Sequence, residues 1–131
     1  MGLDMHLTGE QYIFTDWENP DNNQYEDGYR LKSRRFDLGY WRKHPDLHGF
    51  IVETFSDGID DCKAIHLGTT EIEVIIDTIK EDKLPHTEGF FFGESSNDEE
   101  QKTESIEILS KALLWLRADI THRSIYYQAS W

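Results

Sequence analysis

The sequence predicts an α+β fold: a single compact domain with a small sheet of about four strands packed with about three helices. Three observations predict it. Segments of strand periodicity and of helical periodicity succeed one another along the chain. Its 131 residues are the length of one domain rather than two. At 37% hydrophobic and 13% aromatic it carries enough apolar matter for one core.

The elements follow in order. Leu3, Met5 and Leu7 alternate with Asp4 and His6, the period of a half-buried strand. Residues 15–28 are rich in Asp, Asn and Glu and contain Pro20, so an acidic, mobile loop is expected there. Asp37 is positioned to cap a short helix from Leu38, and Pro45 suits the first turn of a following helix with Leu47, Phe50, Ile51 and Phe55 on one face. A break or kink is expected near His44-Pro45. Ser56-Asp57-Gly58 ends that element, and residues 62–67 read as a short strand.

Thr70-Glu71-Ile72-Glu73 reads as a capping box for a helix whose stripe is Ile72, Ile75, Ile76 and Ile79, closed by Leu84-Pro85. Gly89-Phe90-Phe91-Phe92-Gly93 is too apolar for water and reads as a buried strand. The strongest helix covers residues 98–117, with Ile106, Leu109, Leu113 and Leu116 on one face and Ile108, Ala112 and Trp115 beside it. Residues 124–131 are aromatic and β-prone, and an ordered ending is expected.

Charge is distributed unevenly. The formal net charge is −13, which opposes direct nucleic-acid binding because a phosphate backbone is repelled at long range. Arg30, Lys32, Arg34, Arg35, Arg42 and Lys43 nevertheless form a basic island interrupted only by Asp37. Aromatic residues interleave it: Tyr29, Phe36, Tyr40 and Trp41. Two readings stay open, a compensated surface that pairs with the acidic remainder and an anion pocket in which arginines hold phosphate while an aromatic ring stacks. A protein-protein surface is a third.

Neither a bilayer-length apolar run nor a leader-like basic flank is seen, so a cytoplasmic protein without membrane partners is expected. Cys62 is the only cysteine, which rules out an intrachain disulfide. Beside Asp60 and Asp61 it lies in the wrong electrostatic setting for a reactive thiol and reads as a small core residue. His44 and His48, with Asp60, Asp61, Cys62 and His66 downstream, admit a metal site, but Pro45 separates the histidines and no His-Glu-x-x-His pattern exists. No metal, cofactor or catalytic residue is therefore assigned. Asp4 and His6 share a strand face and can line a site with a group from the basic island.

Five blocks together carry a resemblance: Met1-Gly2-Leu3-Asp4-Met5, Gly39-Tyr40-Trp41-Arg42-Lys43, Asp61-Cys62, the 89–93 aromatic run and Tyr126-Tyr127-Gln128-Ala129-Ser130-Trp131. They resemble a family of small bacteriophage, prophage and bacterial proteins with no enzymatic motif and no settled activity. The resemblance implies a genomic setting in which accessory proteins counter host defence by binding, and no chemistry.

Three functions follow as expectations. The first is a non-catalytic binding protein in which Arg34, Arg35, Arg42 and Lys43 contact a small anionic, nucleotide-like ligand and Tyr40 or Trp41 stacks on it. The second is an acidic, DNA-mimic-like inhibitor that meets a host protein through Asp98, Glu99, Glu100 and Glu104. The third is a small metal-assisted phosphoester hydrolase acting through His48, Asp60 and Asp61. A homo-oligomer stays open, since small domains often enclose ligands between subunits.

Overall fold

The computed structural model describes residues 2–88 and 94–131. Strand β1 (Asp4–Tyr12) is followed by a 3-10 turn at Pro20–Asn22 and a two-residue hairpin, β2 (Tyr25–Glu26) with β3 (Tyr29–Arg30). The chain then runs through β4 (Ser33–Arg42), helix α1 (Pro45–Phe55), β5 (Ile65–His66), α2 (Thr69–Lys80), α3 (Glu99–Ala118) and β6 (Arg123–Ser130). The main sheet has the order β4-β1-β6-β5, with every neighbouring pair antiparallel.

The three helices supply the stripes that cover one face of this sheet. Leu3, Met5 and Leu7 of the first strand region, Trp41 of β4 and Ile125, Tyr127 and Ala129 of β6 point into the core. Leu47 and Ile51 of α1, the four isoleucines of α2, and Leu109, Ala112, Leu113 and Leu116 of α3 meet them. The β-branched isoleucines sit in α2 despite their modest helix propensity, because each one is buried and packing outweighs a few tenths of a kcal/mol per residue. The α2 and α3 surfaces are further tied by an ion pair between Arg117 and Glu73.

Two glycines let α3 approach the sheet. A methyl group at Gly9 would lie 2.7 Å from the Trp115 ring and 2.8 Å from Leu38, and one at Gly39 would lie 2.3 Å from Ile108. Trp115 and Ile108 therefore occupy the space that side chains on β1 and β4 would take. Arg123 lies over Trp115, 4.7 Å from its ring centroid, and donates to the Trp115 carbonyl at 2.7 Å. Ring and helix end are held from β6.

Several local expectations are corrected. Residues 38–42 are strand, not helix, and Asp37 caps nothing: pairing with β1 from Ser33 to Arg42 satisfies backbone groups that a short capped helix would leave exposed. The register slips between Leu7 and Thr8, a β-bulge that takes up Leu38. No kinked helix crosses His44-Pro45; α1 begins at Pro45, with His44 as its N-cap. The α2 N-cap is Gly68 rather than Thr70, without a side-chain cap bond, because the helix starts at Thr69. Asp98 does cap α3, accepting from the Gln101 N–H at 2.8 Å.

Residues 62–67 contribute only the two-residue β5 to the sheet. Within 15–28, Asp16 accepts from the Glu18 and Asn19 N–H groups and from Asn22, while Asn23 bonds the Asp16 backbone, so this stretch is a hydrogen-bonded arm. The expected strand at 89–93 lies outside the described residues.

Closing the notch at Gly9 tests the packing. Gly9→Ala should lower the unfolding free energy by about 1–3 kcal/mol, the usual penalty for forcing atoms into a filled core. Urea denaturation checks it, with the slope of the transition unchanged.

Candidate functional site

One face of the sheet lies under the helices and the other is open. Strand parity determines what each face carries. On the open face stand Asp4, His6, Thr8 and Glu10 from β1, Arg35, Asp37, Tyr40 and Arg42 from β4, and Tyr126, Gln128 and Ser130 from β6. A cavity of about 680 Å³ opens here, lined by His6 and Thr8, by Arg35, Phe36 and Asp37, by Gln128, Ala129 and Ser130, and by Cys62. A smaller depression of about 240 Å³ adjoins it past Thr8, Arg35 and Gln128 and includes Glu10, Ala64 and Tyr126. Volumes of this order hold small organic ligands.

Local contacts fix the lining. The Tyr40 hydroxyl donates to Asp4, and this bond, first, together with some burial and the Asp4 charge, raises the phenol pKa above its usual 10.0. The His6 ring packs 5.0 Å from Tyr40, and His66 lies 5.5 Å from Tyr126. Arg35 reaches Glu10 at 3.9 Å, with most of its side chain in solvent. From the segment after α1 Cys62 reaches the cavity, held where Gln128 Nε2 donates to the Cys62 carbonyl at 2.8 Å.

The basic island does not converge. Arg34 and Arg35 are adjacent on a strand and point to opposite faces, Arg34 standing across from Gln11 and ion-pairing with Glu26 at 3.6 Å. Trp41 is a correction: its indole is 6% exposed, faces the helices and donates to Ser105 Oγ at 3.0 Å, so it belongs to the core and offers no face for stacking. Tyr40 and Arg42 share the open face with Arg35, while Lys43 lies just past the strand with φ +56°. Cys62 is a second correction. It is exposed, in a left-handed turn at φ +62°, and lines the cavity instead of the core.

His48 is buried on the opposite side of the sheet. Its Nε2 lies 3.0 Å from both Asp60 oxygens and its Nδ1 2.6 Å from the Tyr127 hydroxyl. With Nε2–H donating to the carboxylate, Nδ1 accepts from the phenol, and Trp131 packs edge-on at 5.7 Å. Burial, then the Asp60 charge, raises the Tyr127 pKa well above 10.0, so the phenol stays protonated. The adjoining void is only about 10 Å³, too small for a substrate. This chain anchors the loop to α1 and β6. Among the described residues no three His, Cys, Asp or Glu side chains come together as a metal site.

The start of α1 holds a further polar cluster. Buried Asp46 accepts from the Thr87 N–H at 2.9 Å and from Asn97 Nδ2 at 2.7 Å. Ser95 Oγ accepts from the Asp46 N–H at 3.1 Å and donates to His44 Nδ1 at 2.7 Å. Burial lowers the His44 pKa from 6.5 to about 4, with Asp46 opposing the shift.

Of the acids expected on a partner surface, Asp98 is engaged as a helix cap and Glu99 lies 3.6 Å from Lys102, while Glu100 and Glu104 are exposed. The arm between β1 and β4 shows a surface unrecognised in the sequence: Trp17 is 80% exposed, Tyr29 79% and Phe14 70%, with the Arg30 guanidinium 5.1 Å from the Trp17 ring centroid. No family model, no curated protein and no solved structure matches this chain. No helix among the described residues is long and apolar enough to cross a membrane.

Two measurements check this arrangement. Cys62 should react stoichiometrically with a thiol reagent in native buffer, without denaturant, as an exposed thiol does. Folded His44 is harder to protonate than unfolded His44, so its contribution to stability is complete above pH 6.5 and is lost as pH falls from 6.5 towards 4. The full loss is roughly 3 kcal/mol. His44→Asn keeps an acceptor for Ser95 and cannot titrate, so its stability should fall less steeply over that interval in denaturation series at stepped pH.

Proposed function

We propose that this protein acts by binding a small anionic, nucleotide-like ligand on the open face of the sheet. The observation that carries this reading is the 680 Å³ cavity, which brings Arg35 of β4, beside Asp37, together with neutral hydrogen-bonding groups from β1 and β6. Thr8, Gln128 and Ser130 supply donors and acceptors, and Arg35 supplies a planar cation suited to phosphate. His6 in the lining and Tyr40 beside it, their rings tilted against one another, offer aromatic surface for a base. The contact set is Arg35, Tyr40 and Arg42, joined by His6 and Gln128.

Binding without turnover is the reading that this lining supports. His48 has both ring nitrogens engaged beneath the sheet, and Asp60 is one of its partners, so neither reaches the cavity as an acid or base. The likeness to small phage and prophage proteins supports sequestration of a signalling nucleotide as the biological use. A second reading is an acidic surface for a basic host protein, favoured by the exposed Glu100 and Glu104 on α3.

A thermal-shift series with purine mono-, di- and cyclic nucleotides separates them, because a ligand that binds only the folded state raises Tm. At least one nucleotide should raise it. Arg35→Ala should weaken that ligand by ~10–100-fold, the usual cost of removing a charge-assisted hydrogen bond. Arg34→Ala, on the other face, should leave the shift intact, as should reversal of Glu99, Glu100 and Glu104 to lysine. A flat response to all nucleotides, or a shift retained in Arg35→Ala, rejects the pocket.

A further inference from the structure

The sheet ends in two edge strands, β4 and β5. β5, two residues long, borders β6, whereas the other border is the ten-residue β4. No other described segment pairs with the outer edge of β4, and none of its loop neighbours donates to or accepts from that edge. Proteins usually shield such an edge by shortness, proline or a cover, because its free N–H and C=O groups template pairing. β4 is ten residues long and contains no proline, and among the described residues no strand or loop backbone bonds its outer edge.

Its sequence is, moreover, self-complementary. From Ser33 to Asp37 the strand is regular, before the bulge, with Arg35 and Asp37 on the open face and Phe36 between them on the helix side. A two-fold axis beside Phe36 places Arg35 of one chain opposite Asp37 of the other, twice, with Phe36 opposite its own copy. Opposite charges in directly facing positions stabilise a strand pair, and like charges destabilise it. Asp37 has no ion-pair partner among the described residues, and Arg35 has only a long contact with Glu10. Phe36, 39% exposed beside Trp115, has ring surface left to cover.

We propose that the outer edge of β4 pairs antiparallel with the same edge of a second copy of this chain, in the register Arg35 to Asp37, giving one continuous eight-stranded sheet. The open faces of the two copies then adjoin. Arg35 and Asp37 also line the cavity, so each copy brings a second arginine and a second carboxylate to the border of its partner's site. The proposal stands independently of which ligand binds, since the pairing uses only backbone groups and residues of β4.

Sedimentation velocity over a concentration series tests it. The wild-type protein should approach twice its 15.4 kDa chain mass. Arg35→Asp alone and Asp37→Arg alone should each shift the equilibrium to the single-chain mass, because each sets like charges opposite one another. The double exchange should restore the dimer. Both side chains are outside the core, and circular dichroism confirms that each variant is folded. An independent arm uses Phe36→Cys with Cys62→Ser: directly opposite strand residues lie within disulfide reach, so mild oxidation should yield a covalent dimer.

A single-chain mass at every concentration overturns the proposal. So does a dimer indifferent to both single reversals, or a double exchange that remains monomeric.

Discussion

The rest of the structure depends on the burial of β1 on one face only. It is an inner strand, hydrogen-bonded to β4 on one side and β6 on the other, so its register sets which side chains of all three strands face the helices. Leu3, Met5 and Leu7 commit that face, and Gly9 extends it as a notch for Trp115. Slipping either neighbour by one residue would turn Tyr127 or Trp41 outward and bring Gln128 or Tyr40 into the core. The open face is thus a consequence of parity: once the apolar positions are buried, the polar ones are gathered on the other side without further specification.

Helix α1 then acts as the fixed point for chain segments that no strand holds. Its first turns carry three buried polar residues, His44, Asp46 and His48, an expensive set unless every group is paired. Each is. His44 and Asp46 bind Thr87, Ser95 and Asn97 from the segments between α2 and α3, and His48 joins Asp60 to Tyr127. Among the described residues no fully buried side-chain nitrogen or oxygen lacks a partner. The loop that brings Cys62 to the cavity is consequently tied from both sides of the sheet, through Asp60 to His48 beneath and through the Cys62 carbonyl to Gln128 above.

The α+β class, the α3 stripe and the α2 isoleucines were legible because burial on one helical face leaves a 3.6-residue period that no long-range contact can disguise. β1 and β6 were legible for the corresponding reason at period two. β4 was not: Asp37 resembles a cap, and its strand state comes from pairing with residues about thirty positions earlier, which a local window does not contain. That one misreading carried into the site. Read as a strand, residues 33–42 sort Arg35, Asp37, Tyr40 and Arg42 from Phe36 and Trp41 once the bulge is allowed, and Trp41 falls to the core. Cys62 was misplaced because its exposure comes from a left-handed turn that local composition does not announce. The joining of Asp4 and His6 to the island was legible, since strand parity alone places both on the polar face.

The proposed anion site has to be weighed against a net charge of −13. Exposed charges more than about 8 Å apart are largely screened at physiological ionic strength, so the acids of the arm and of α3 weigh less than the groups lining the cavity. There Arg35 stands beside Asp37, with Glu10 in the adjoining depression, while Arg42 and Asp4 face one another further along the sheet and Asp4 accepts from the Tyr40 hydroxyl. Pairing of two β4 edges would compensate the Asp37 carboxylate with an arginine from the other copy, removing one of the lining's repulsive charges. The edge and the cavity share Arg35 and Asp37, and through these two side chains the proposed self-pairing and the proposed anion binding would be coupled. Such coupling would be reciprocal, since a ligand that draws Arg35 towards the open face would compete with a second copy's Asp37 for the same guanidinium.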